Sequence, residues 1–361
     1  MAININHQVN QVNGLNISGS AGAGSTVGTA GIVTYYGDGS NLTGISAGGF
    51  EQDDQGNLVA GTGAGAAKDA DTCFNIMIGC NSGAALNSGD KNILLGKDAG
   101  CSLTTGHNNN VVGHSALKSS TGGCYNVFFG SYAGMQAGNT ISKSVAVGNA
   151  ALMKLGCSGA AYCNTAIGAN AGKCITTGCE NFFGGYRAGG LGYVTGSGNV
   201  SIGNLSSEDL TSGSRNTVIG GCSGQNLTTG NCNVLIGNCV GMGVTTSSHD
   251  VIIGNKAMGN SAKSQGNNIL IGDCAGYNHI FSNMIAIGNK AGYSVNQTYG
   301  WNNVLIGNCA GYCSITGQLN TYVGRDAGKC ATGGTYNAYF GQSAGICATG
   351  NSNTMIGACA G

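Results

Sequence analysis

The chain has no proline in 361 residues, and only 8% of it is Asp, Glu, Lys or Arg, where ~25% is ordinary. Its 14 acidic and 14 basic residues cancel. Each shortage excludes something. Without Pro, and without Gly at every third position, there is no collagen helix. Without a basic stripe, nucleic acid is not an expected partner. With 41% apolar residues and no net charge, the chain lacks the composition of a disordered polymer. No run approaches the ~18 apolar residues of a membrane-spanning helix, so membrane insertion is not expected either. The start, MAININHQVNQVNGLN, has neither the basic nor the apolar region of a secretory signal.

What is abundant is Gly, at 69 residues, and Cys, at 17. The glycines are periodic. From about residue 72 to the last residue one unit recurs: Asn, three apolar residues, Gly, two variable residues, Ala, Gly. It is clearest as N-V-L-I-G-N-C-V-G at Asn233 to Gly241 and N-V-L-I-G-N-C-A-G at Asn303 to Gly311. There are 17 copies between central glycines Gly79 and Gly357, at steps of 16 to 20 residues.

The columns of the repeat carry its physics. Four residues before the central Gly stands Asn in 14 of 17 copies, with Ser144, Asp250 and Met284 as exceptions. Asn tolerates turn conformations, and its amide can bond the Asn of the next unit in a ladder. The residues one and two before the Gly are each apolar in 16 copies, with Gly184 and Ser201 as the exceptions. Neighbours along a strand point to opposite faces, so this strand is expected to be covered on both. The Ala-Gly pair, and T-T-G triplets such as Thr104 to Gly106, suit tight corners. Each unit reads as a short strand, a corner, a second short irregular strand and another corner.

That is one coil of a β-solenoid. A helical repeat needs ~33 residues and a propeller blade ~40, and Gly at each corner would cost ~1 kcal/mol inside a helix. The expected fold is all-β: a parallel β-roll or β-helix of about 17 coils of ~17 residues, stabilised by stacking. A coil this thin has room inside for one strand face. We place the column two before the Gly outside, including Leu94, Phe128, Leu235, Ile252, Leu270, Leu305 and Tyr339. So long an apolar stripe exceeds what a soluble monomer exposes, which implies self-association as a parallel homo-oligomer, a trimer; packing between two layers of one chain is the alternative.

Residues 1–30 form an Asn-, Ser- and Gly-rich anchoring segment without repeat, and residues 31–71 a short β cap and linker ahead of the solenoid at 72–361. The end at G-A-C-A-G leaves the last rung open. Within the cap, Val33 to Ile45, V-T-Y-Y-G-D-G-S-N-L-T-G-I, resembles a motif of virion structural proteins from marine cyanobacterial myophages. The repeat, N-x-x-[IV]-G-x-x-A-G with T-T-G corners, resembles Gly-rich repeats of phage tail fibres. It is also similar to the trimeric autotransporter adhesin head, a trimeric β-roll built on a shorter repeat. The chain has no match to that adhesin's coiled-coil stalk or membrane barrel.

These resemblances imply a phage fibre protein with a virion or extracellular location, a rigid rod acting as spacer and possible host-attachment element. They imply other virion proteins as partners at the N-terminus and the open last rung, and a host surface receptor. The alternative is a self-polymerising extracellular or capsid-attached filament stacking end to end through that rung. An ice-binding solenoid would need a flat Thr array on nearly every coil, and T-T pairs occur in only a few.

No chemistry converges. His7, His107, His114, His249 and His279 share no offset in the repeat, and carboxylates never pair at fixed spacing, so no catalytic residue is assigned and no enzyme is expected. G-D-G-S-N at 37–41 reads as a turn rather than an EF-hand, which needs more oxygen ligands. Twelve of the cysteines fall in columns two after, six after and six before the central Gly. Without C-x-x-C, ligands ~17 residues apart give no tetrahedral metal site. No metal or cofactor is expected. Without a secretory signal the thiols are expected to be reduced and buried in the core, with inter-rung or inter-chain disulfides as the alternative.

Overall fold

Eighteen strands of three residues each stack into a single parallel sheet, from Leu58–Ala60 to Thr354–Ile356. The computed structural model describes residues 52–260, 266–278, 282–294, 301–313 and 317–361, and no helix occurs among them. The anchoring segment, the G-D-G turn and the Val33–Ile45 motif lie outside the described residues. Pairing never slips: Val234, Leu235 and Ile236 sit over Val251, Ile252 and Ile253, and every neighbouring pair repeats that register. The sheet begins one coil earlier than about residue 72. N-L-V-A-G-T-G-A-G at Asn57 to Gly65 carries the repeat, and its strand pairs with Ile76–Ile78. The end of the expected linker is therefore the first rung. Seventeen steps of ~4.8 Å make the ladder about 80 Å long.

Left-handed residues cut the strands to three residues. On a typical coil Cys232 has φ 58°, the central Gly237 137°, Cys239 52° and the second Gly241 57°. The central glycines lie at φ 119° to 143°, a region that side chains other than hydrogen rarely enter. These breaks also explain why the expected second strand is mostly missing. Among the described residues it forms only at Ile141–Ser142 and Ala161–Tyr162 and as isolated bridges. Elsewhere stacked turns bond from coil to coil, as in Gly224 N–H to Val240 C=O at 2.8 Å and Thr228 N–H to Thr245 C=O at 2.8 Å.

The assignment of strand faces is reversed relative to the expectation. Leu94, Phe128, Leu235, Ile252, Leu270, Leu305 and Tyr339 point inward and are fully buried. They pack on the Ala column and on the second glycines. A Cβ on Gly134 would meet Phe128 Cε1 at 2.5 Å, and one on Gly83 would meet Met77 Sδ at 2.6 Å, so the Gly gives the large core side chain its room. On two coils with a small core residue the position of that Gly holds something larger, Val111 with Leu117 and Ala146 with Leu152, whereas Ala166 and Ala286 keep Gly172 and Gly292. Ser201, the polar exception, donates to Ser206 C=O at 2.9 Å inside the core.

The Asn ladder is present and buried. Asn216 donates its backbone N–H and one amide N–H to Asn199 Oδ1, both at 3.0 Å, and the other amide N–H to Gly230 C=O at 2.8 Å. Its own Oδ1 accepts the matching pair from Asn233 at 3.0 Å. Asp250 interrupts the ladder. Its carboxylate accepts from Asn268 N–H and Nδ2–H at 2.9 Å and from Ser247 Oγ–H. Its backbone N–H still donates to Asn233 Oδ1 at 2.9 Å, but its side chain has no amide hydrogen to add to that bond. Burial pushes its pKa above the ordinary 3.8, against the lowering effect of those hydrogen bonds.

A raised native pKa favours the fold at low pH. Stability is therefore expected to fall as pH rises from about 3.8 through the raised native value. Asp250→Asn restores the missing donors, and is expected to flatten that pH dependence and add about 1–3 kcal/mol at neutral pH. Urea unfolding midpoints at acid and neutral pH check this. An unchanged pH slope in Asp250→Asn contradicts it.

Candidate functional site

With the middle residue of each strand inside, the two flanking residues face out, because alternate side chains leave opposite faces. These form two parallel columns along the sheet. The column three before the central Gly is apolar in 13 of 18 rungs, and holds Asn110, Thr165, Thr217, Thr321 and Thr354 in the others. The column one before it is apolar in 17, seven of them consecutive isoleucines from Ile202 to Ile306. Neither column contains a charge. The threonines never sit on adjacent rungs, so no Thr array forms.

These side chains are partly to fully open. Ile202 is 40% exposed, Phe129 56% and Ile356 74%. The one gap, at Gly184, is filled from within the face: a Cβ there would lie 3.3 Å from Phe182 Cε1, so the Phe182 ring lies over the glycine. The result is a continuous apolar strip about 80 Å long and roughly 10 Å wide, on the order of 800 Å². Parallel sheets are normally covered on both faces, and a monomer's largest apolar patch is ~300–600 Å². The expectation of a long apolar stripe holds, with the residue columns exchanged.

Titratable groups line the coils outside this strip. Of the 17 cysteines only Cys174 is buried, which overturns the core-thiol reading. Cys222, Cys239, Cys274, Cys309 and Cys359 occupy a corner with φ between 52° and 57°, which turns their side chains to the outer wall. Burial pushes the Cys174, Cys222, Cys274 and Cys313 thiols up. All 17 are free thiols.

Asp98 pairs with two lysines, Lys97 and Lys118 Nζ each at 3.3 Å. The hydrogen bond from Asn81 and those lysines hold its carboxyl below the usual range. His107 and His114 each meet a tyrosine of the next coil edge-on, Tyr125 and Tyr132, with centroids 5.2 Å apart. Among the described residues no group of three or more His, Cys, Asp or Glu is placed to hold a metal ion. No described helix is long and apolar enough to cross a membrane. No protein-family model, curated protein or solved structure matches the chain.

Proposed function

We propose that the chain is a structural rod whose apolar sheet face is covered by other copies of itself, packed side by side and parallel about a common axis. The observation that carries this is the uncharged, continuous two-column apolar strip along the outer face of the sheet. Its ~800 Å² is the area one partner contributes to a standard stable interface. Parallel packing keeps rung opposite rung along the whole length, so the isoleucine run of one chain meets an apolar column of the next at every step. Three copies is the number that the likeness to trimeric adhesin heads supports. The phage reading, a fibre acting as spacer and host-attachment element, draws on the tail-fibre repeat and the Val33–Ile45 motif.

Light scattering on the purified chain tests the assembly. The expected mass is three times 35.7 kDa, and a particle of 35.7 kDa overturns the reading. Ile236→Lys combined with Ile253→Lys places two ammonium groups on adjacent rungs of the strip. That variant is expected to be monomeric with unchanged β-sheet circular dichroism, because neither side chain enters the core.

A further inference from the structure

Stacking brings together two side chains that the sequence holds one coil apart. His107 and Cys124 occupy the same column, six before central glycines Gly113 and Gly130, and Cys124 Sγ lies 3.3 Å from His107 Nδ1. The imidazole is braced by Tyr125, edge-on at 86°. The backbone holds the pair in register: Tyr125 N–H donates to His107 C=O at 3.0 Å, and Cys124 N–H donates to Ile141 C=O at 3.2 Å. One other acceptor competes for the thiol proton, Gly122 C=O at 3.4 Å from the sulfur.

A cysteine reacts as its thiolate, and a base within hydrogen-bond reach is the arrangement that activates a sulfur nucleophile. The other cysteines have neighbours of a different kind. Cys101 meets Ser102 Oγ and Lys118 C=O, Cys157 meets Ser158 Oγ, and Cys179 meets Thr177 C=O. Burial, and then the Asp273 carboxylate that it meets, raise the Cys274 thiol, and Cys222 and Cys313 meet the thiols of Cys239 and Cys330. Hydroxyls, carbonyls and carboxylates are all weaker bases than an imidazole. Among the described residues, Cys124 is the cysteine with an imidazole nitrogen at hydrogen-bond distance.

We propose that Cys124 is a privileged site of thiol–disulfide exchange, with His107 as its base, accepting a low-molecular-weight disulfide. The thiol proton passes to His107 Nδ1 as the sulfur attacks one sulfur of the incoming disulfide. The disulfide bond breaks, and the departing thiolate takes the proton back from the imidazolium. The products are a mixed disulfide on Cys124 and one free thiol, so the added disulfide is the oxidant and the exchange balances. Half-buried Cys124 stands at a corner outside the two apolar columns, so the proposal does not depend on the self-association reading.

The test is exchange with oxidised glutathione on the full chain, quenched with acid over time and read cysteine by cysteine by peptide mass mapping. The other 16 cysteines are internal standards. Cys124 is expected to be modified about tenfold faster than the more exposed Cys80, Cys157 and Cys330. His107→Gln is expected to bring Cys124 down to their rate and leave theirs unchanged. Rates that simply follow exposure overturn the proposal, as does a Cys124 rate unaffected by His107→Gln. If His107→Gln fails to fold, the wild-type ranking decides alone.

Discussion

Gly96→Ala is expected to lower the unfolding free energy by about 3–5 kcal/mol, combining backbone strain with overpacking. Gly96 has φ 130°, and a Cβ on it would lie 2.6 Å from Gly113 O and 2.8 Å from Gly113 C. Those atoms are the backbone of the next coil and cannot rotate away. Relief requires the two coils to separate, which stretches Gly113 N–H to Leu95 C=O, now 2.8 Å. The control is Gly221→Ala, one residue after a central Gly. There a Cβ meets only the side-chain Oδ1 of Asn238 at 3.2 Å, and the cost is expected to stay within ~0.5 kcal/mol. Urea unfolding of both variants checks the contrast, and equal losses contradict it.

Asn216→Ala is expected to cost a similar amount, about 3–5 kcal/mol, for a different reason. The substitution deletes no large volume. It leaves the N–H and one amide hydrogen of Asn233 without their acceptor, Gly230 C=O without its donor, and Asn199 Oδ1 with one partner instead of two. Asn199, Asn216 and Asn233 are essentially inaccessible to water. Each orphaned buried group costs ~1–3 kcal/mol. Exchange of backbone amides with solvent is the sharper readout, because damage in a stacked array is felt first by its neighbours. Faster exchange at Asn233 and Thr217 than at distant rungs is the expected pattern, and uniform loss along the ladder contradicts it.

The repeat, the coil and the Asn ladder were legible because each is a periodic demand that many residues satisfy in step. Which strand face lies inside was not read correctly, although a clue stands in the same unit. Asn four before the Gly and the apolar residue two before it have the same parity, so they share a face. An amide ladder satisfied rung by rung belongs inside, and it takes Leu235 and Tyr339 with it. Hydrophobicity alone cannot decide, since Ile236 is as apolar as Leu235. Volume offers a second clue: the column that swings from Ala146 to Tyr339 needs compensation from neighbours such as Leu152, and only an enclosed column makes that demand. The cysteines misled because their hydrophobicity suggests burial, whereas the left-handed corner that Cys222, Cys239, Cys274, Cys309 and Cys359 occupy turns the side chain outward. The first rung at Leu58–Ala60 was masked by its Gly- and Ala-rich surroundings. The approach of His107 to Cys124 depends on coil length, and became visible only once the coils were stacked.

The in-register sheet also determines how the rod meets force. Bonds between rungs run along the long axis, so a pull on the two ends loads them in series and tension is carried by whichever coil is weakest. Coils then peel away singly, each releasing roughly 55 Å of chain, and the rod yields as a long sawtooth of small steps. Shear across the axis loads the turns and the packed core of many coils together, and meets far greater resistance. A ladder of this kind is stiff when bent and forgiving when stretched.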